Sequence, residues 1–159
     1  MMKAICGLMV LTIVLGCSSK KEQESAQQVV NEYPPLILRL NNGDQVSAKN
    51  LTGKNVFVLF QPDCSHCQEE AVHIEQRLTE FKDYTVYFIS SAPMDQITAF
   101  AKNFNLDDLA QVKFGWTAPE GVLTYYGPIP TPSVYIYADG KLRHKFNGQT
   151  DIENILGAL

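Results

Sequence analysis

Basic residues are in short supply in this chain. Thirteen Lys and Arg face 17 Asp and Glu over 159 residues, a formal net charge of −4. That balance argues against nucleic acid or an anionic membrane surface as the main partner. Long apolar runs are missing too. The longest, AICGLMVLTIVLG at positions 4–16, has 13 residues, short of the roughly 20 that cross a bilayer as a helix. No segment repeats. Cysteine is sparse, four in all at positions 6, 17, 64 and 67, and histidine numbers three. What is plentiful is ordinary: an apolar fraction of 45% and an aromatic fraction of 10% support one globular domain with a single core.

The N-terminal residues stand apart. Positions 1–16 join a short positive start, MMK, to the apolar run, the layout of a secretory signal peptide. The run closes as VLGC, and the SSKKEQES after Cys17 is polar and charged. This pattern resembles the bacterial lipobox, although Leu15 is bulkier than the small residue usual before the glycine. It implies that Cys17 is acylated, becomes the mature N-terminus and anchors the protein to a membrane of the bacterial cell envelope, facing the periplasm. An ordinary cleaved signal or a retained anchor is the alternative. Residues 17–32 then make a lipidated cysteine and a flexible tether whose ends lie roughly 20 Å apart as a coil. With Cys6 removed and Cys17 lipidated, Cys64 and Cys67 are the thiols left, in a compartment where thiols can be oxidised.

The domain is expected over 33–159. LILRLNNGDQVSA reads as two short strands around Asn42-Gly43, a hairpin signal. NVFVLF and TVYFIS are continuous apolar runs of the kind buried on both sheet faces. Between them Cys67, Ala71, Ile74, Leu78 and Phe81 recur at helical spacing, and Pro93 opens a second helix bearing Ile97, Phe100, Ala101 and Phe104. Residues 106–127 are poorly legible. SVYIYADGKLRHKF is a hairpin turning at Asp139-Gly140, and TDIENILGAL is a helix with Thr150 and Glu153 as a capping box. Strands alternating with helices predict an α/β fold with a mixed sheet.

In FQPDCSHCQEE, Gln68 follows Cys67, so the C-x-x-C-H of haem attachment is not met. A closed zinc or iron–sulfur site needs four ligands, and two thiols exist. A copper or zinc site of Cys64, Cys67 and His144 stays open, as does a structural disulfide, although so short a loop constrains the unfolded chain little. Thiol redox exchange is favoured by the local physics. Cys64 falls at a helix N-terminus, where free N–H groups stabilise a thiolate, and Cys67 falls one turn in on the buried face.

Strand, C-x-x-C and helix, followed by IPTPSVYIYADGKL, resemble the thioredoxin superfamily. The N-terminal hairpin, the lipoprotein signal and Glu70 resemble its secreted TlpA/ResA branch. The resemblance implies a thioredoxin-like fold, a central mixed sheet flanked by helices with an added N-terminal β-hairpin. It implies a redox disulfide between Cys64 and Cys67, a cis-proline at Pro132, and a groove in which Thr131 pairs with an extended substrate. Protein clients carrying disulfides or thiols, a membrane electron donor and no cofactor follow from the same source. Two positions depart from thioredoxin itself: Asp63 replaces Trp before the first cysteine, and Val58 replaces an acid on the preceding strand. A proton acceptor for Cys67 must then come from elsewhere, and Glu70 is the candidate, against its alternative as a solvated helix residue. His66 is expected to favour the Cys64 thiolate and Asp63 to oppose it. His73 is expected on an exposed helix face and Trp116 in the core or at its rim, while Tyr125 and Tyr126 either line the groove or pack on the sheet. Three rivals are a copper metallochaperone using His144, a peroxiredoxin-like peroxidase, whose P-x-x-x-[ST]-x-x-C pattern meets Phe57 and Gln61 here, and a binding module that kept the fold without the chemistry.

Overall fold

The alternation of side chains along one central strand organises the molecule. The computed structural model describes residues 31–159, so the expected signal, Cys17 and most of the tether lie outside the described residues. In β3 (Lys54–Leu59), Val56 and Val58 point to one sheet face while Phe57 and Leu59 point to the other, all of them buried. β3 pairs in parallel with β4 (Thr85–Ser90) and antiparallel with β6 (Ser133–Ala138). β4 pairs in parallel with β5 (Val112–Trp116). β6 turns through Asp139-Gly140 into antiparallel β7 (Lys141–Asn147). β1 (Ile37–Leu40) pairs antiparallel with both β2 (Gln45–Ser47) and β5, which gives a seven-stranded mixed sheet in the order β2-β1-β5-β4-β3-β6-β7.

Helices cover both faces. α1 (Ser65–Gln76), α2 (Met94–Asn103) and the short α4 (Ile152–Leu156) pack over Val56, Val58, Phe60, Phe88 and Phe114. α3 (Pro119–Tyr126) crosses the other face over Phe57, Tyr87, Tyr135 and Tyr137. It comes close because position 121 is glycine, where an added Cβ would sit 2.7 Å from Leu36 Cδ2. The poorly legible stretch thus holds β5 and α3. At the far end of the sheet, Asn31 and Glu32 pair with the start of β7: the Leu142 N–H donates to the Asn31 carbonyl at 2.9 Å.

One detail corrects the sequence expectation. Thr150 does not cap the last helix. Its hydroxyl donates to the Gly148 carbonyl at 3.2 Å, engaged in the turn that Gly148 makes at φ 88°. Asp151 takes the cap instead, accepting from the Glu153 N–H at 3.0 Å. Asp151→Ala should therefore cost about 1 kcal/mol in a urea unfolding experiment, as a lost N-cap does, and Thr150→Ala distinctly less.

Candidate redox site

The two cysteines are placed by the end of β3. Leu59 still pairs with Ser133 of β6, and the Phe60 N–H donates to the Ile89 carbonyl at 3.0 Å before the chain leaves the sheet. Gln61, Pro62 and Asp63 make a turn closed by the Cys64 N–H on the Gln61 carbonyl at 3.2 Å and pinned by Gln68 Nε2 on the Pro62 carbonyl at 3.0 Å. Cys64 is the N-cap of α1 in extended conformation, and its sulfur accepts from the Cys67 N–H at 3.3 Å. A sulfur here occupies the place usually held by a Ser, Asp or Asn oxygen, facing the free N–H groups and positive end of the helix. Across from it, the loop before β6 carries a cis Thr131-Pro132 bond and brings the Thr131 carbonyl to 3.6 Å from Cys64 Sγ.

The two thiols, both reduced, are held in opposite states. Partial burial raises the Cys64 pKa, but hydrogen bonds from the Cys67 thiol, the Cys67 N–H, the Thr131 side chain and the His66 backbone outweigh it, and the thiol ends below its ordinary value. Cys67 is 1% exposed. Burial first, and then the hydrogen bond it gives to Cys64, push its thiol up to about 12. An ionisable sulfur at the helix tip and a protonated one beneath it are the states that an attacking and a resolving thiol need.

Glu70 lies one turn beyond Cys67 on the same buried helix face. It is 1% exposed, and neither carboxylate oxygen has a hydrogen-bond partner. The structure thus removes the expectation of a solvated helix residue. Burial raises its pKa to about 7, and the nearby Thr150 backbone N–H offsets this only weakly. Such a carboxyl takes and gives protons near neutrality. The helical stripe of Cys67, Ala71 and Ile74 contains position 70, which puts a carboxylate on an apolar face without deciding whether it is covered.

The remaining expected residues separate. His66 is exposed, with Nδ1 3.8 Å from Glu69 Oε2; toward Cys64 it contributes its backbone N–H. Glu69 in turn accepts from Gln149, tying α1 to the loop after β7. Asp63 is exposed beside Cys64. Tyr126 packs on the sheet, its ring 4.4 Å from Tyr135 and its hydroxyl 3.0 Å from that of Tyr137. Trp116 sits at the rim under the Arg39 guanidinium, and His73 is exposed. His144 stands in β7 opposite Ile136, away from the strand end that carries the thiols. Gln61, which the sequence marks only as a mismatch to the peroxidase pattern, holds Cys64 through its carbonyl and lowers the Cys67 pKa through its backbone.

The Glu70 carboxyl imposes a pH dependence with a definite sign. The unfolded chain releases this proton near 4.5 and the folded protein near 7. Stability should fall as pH rises through that window, by roughly 3 kcal/mol once Glu70 is ionised. Glu70→Gln should abolish the decline, as read from urea midpoints measured at pH values across the same window.

The sequence pattern of the AhpC/TSA family matches residues 29–145. The chain is 29% identical over 160 residues to a thiol-disulfide oxidoreductase ResA of Bacillus cereus, covering 98% of this chain and 88% of that protein. Among solved structures it is similar to a secreted Mycobacterium tuberculosis disulfide oxidoreductase homologous to E. coli DsbE, with a TM-score of 0.66, 18% identity and coverage of 78% of this chain and 93% of the other. A copper-bound ScoI of Arabidopsis thaliana shares the fold at a TM-score of 0.62 and 15% identity, covering 79% of this chain and 93% of its own. The chain belongs to the AhpC/TSA family and is a thioredoxin-like thiol–disulfide oxidoreductase.

Proposed function

We propose that the protein exchanges electrons with disulfides of other proteins outside the cytoplasm, from a lipid anchor at Cys17. The observation that carries the exchange chemistry is the opposed state of the two sulfurs, Cys64 lowered at the helix tip and Cys67 raised beneath it. The Cys64 thiolate attacks one sulfur of a client disulfide, forming a mixed disulfide and releasing the other client sulfur as a thiolate. Glu70 takes the proton from Cys67, whose sulfur then attacks Cys64. The second client sulfur leaves, and the two electrons of the dithiol end in the client. The oxidising direction runs the same steps in reverse. Thr131, next to Cys64, holds the client main chain in an extended pairing.

Glu70 answers the need created by Val58, which is buried and apolar on β3. A thiol pushed up to about 12 does not ionise unaided at neutral pH, and a carboxyl with a pKa of about 7 one helical turn away is matched to remove its proton. His66 and Asp63, both exposed beside Cys64, set the fine balance of its charge. A membrane electron carrier would return the oxidised pair to the dithiol. The copper reading has no structural support from His144, and among the described residues no group of three His, Cys, Asp or Glu side chains is gathered for a metal.

Cys64→Ala should abolish insulin reduction, and Cys67→Ala should accumulate mixed disulfides with clients on non-reducing gels. If Cys67→Ala traps none, the exchange is wrong. Glu70→Gln should leave mixed-disulfide formation unchanged and slow its resolution about 100-fold, measured by rapid quench. For the anchor, Cys17→Ala should move the protein from the membrane fraction to the soluble fraction of its own cells.

A further inference from the structure

A cleft of about 370 Å³ lies where the ends of β3 and β4 meet helix α3. Its walls are Pro119, Val122, Leu123, Pro128, Ile129 and Thr131. Thr131 joins the cleft to the chemistry, because its carbonyl is the group 3.6 Å from Cys64 Sγ. Leu123, at 58% exposure, is the most exposed large apolar side chain among the described residues. No helix or loop of the described chain covers it, although α3 has the apolar composition of a helix that packs on something.

The lining says what kind of group belongs there. It contains no charged side chain. Its serines are already engaged: the Ser91 hydroxyl donates to the Thr117 carbonyl at 2.8 Å, and Ser90 Oγ accepts from the Ala92 N–H at 3.1 Å. Apart from Gln61 and Thr131 a polar occupant would find no side-chain partner, whereas an apolar one would bury its surface against the carbon of the remaining walls. Position narrows the occupant further. A client cysteine bonded to Cys64 lies beside Thr131, and in an extended chain the side chains on one face recur every second residue, about 7 Å apart. The residue two places from that cysteine is therefore the one delivered to the cleft.

We propose that the cleft seats an apolar side chain of an extended client segment, two residues from the client's reacting cysteine, and that Leu123 and Val122 are specificity-determining residues. This rests on the thiol exchange proposed above. Selection of clients then comes from side-chain burial beside the sulfur, while the main chain pairs with Thr131 regardless of sequence.

The test uses the Cys67→Ser protein, which stops at the first bond. It is mixed with either of two extended peptides whose single cysteine is activated as a disulfide with thionitrobenzoate. The peptides differ only in carrying Leu or Asn two residues to each side of that cysteine, so neither brings charge near Asp63. The Cys64 thiolate attacks the peptide sulfur, the new bond joins Cys64 to the peptide, and thionitrobenzoate leaves with the electron pair of the broken bond, its absorbance giving the rate. The Leu peptide should react at least about tenfold faster, a ratio within what one apolar pocket yields. Adding Leu123→Glu, or Leu123→Ala if the first folds poorly, should bring the ratio toward one. Equal rates for the two peptides, or a preference that survives both changes, would overturn the proposal and leave the cleft to a free small molecule or another partner. Release from neither peptide would instead overturn the exchange at Cys64 itself.

Discussion

The hydrogen bond from the Cys67 N–H to Cys64 Sγ is the contact on which the site depends. It makes a sulfur the cap of a helix, so the end of α1 and the reactivity of Cys64 are a single feature. Removing water from that sulfur would by itself suppress ionisation, and the donors gathered at the helix tip reverse this. The same bond fixes the spacing of the pair, since it needs one helical turn between the cap and its partner. Everything upstream serves to bring the cap to that place. β3 must be buried on both faces to end the turn 61–63 beside β6, and β6 must begin immediately after Pro132 to hold the Thr131 carbonyl against the sulfur.

In the proposed exchange, Glu70 meets a second requirement from the helix and not from the strand. The central strand offers no carboxylate, because Val58 fills its place in the core. The acid comes from the helix that carries the cysteines, one turn further on, and so is positioned by the same backbone that positions Cys67. Its isolation from hydrogen-bond partners costs stability and keeps its proton exchangeable near neutrality. A carboxylate satisfied by an Arg or by several N–H groups would have been easier to bury and useless as an acceptor.

Much of this was readable from the chain. Continuous apolar runs marked β3 and β4, Asp139-Gly140 marked the β6–β7 turn, and a cysteine at the strand-to-helix change marked the site. The local signals failed where tertiary contacts decide. In VKFGW and PEGVLTYY no strict period of two or of 3.6 residues stands out, because β5 lies between two strands and α3 buries no residue fully. The cap falls one residue later than the Thr150–Glu153 spacing predicts, because the Gly148 turn, invisible to a spacing rule, takes the Thr150 hydroxyl for itself. The burial of Glu70 is not legible in the same way, since spacing tells which face a residue occupies and not whether the adjoining loop closes over it. The cleft beside α3 needed coordinates outright, because it is formed by residues from four segments of the chain.

The pairing of Asn31 and Glu32 with the first residues of β7 has a geometric consequence. Lys141 neighbours Ala138, which pairs with Lys54 at the start of β3, whereas Cys64 follows the end of that strand. The described chain therefore begins at one pole of the domain and Cys64 sits at the other, roughly 20 Å away along six residues of strand. Under the proposed acylation of Cys17, with a coil of about 20 Å between it and the domain, an upright domain would present its sulfur some 40 Å above the lipid. Partners standing tall in the aqueous space would be met tip first, while a disulfide lying at the lipid surface would be reached only when the whole domain leans over.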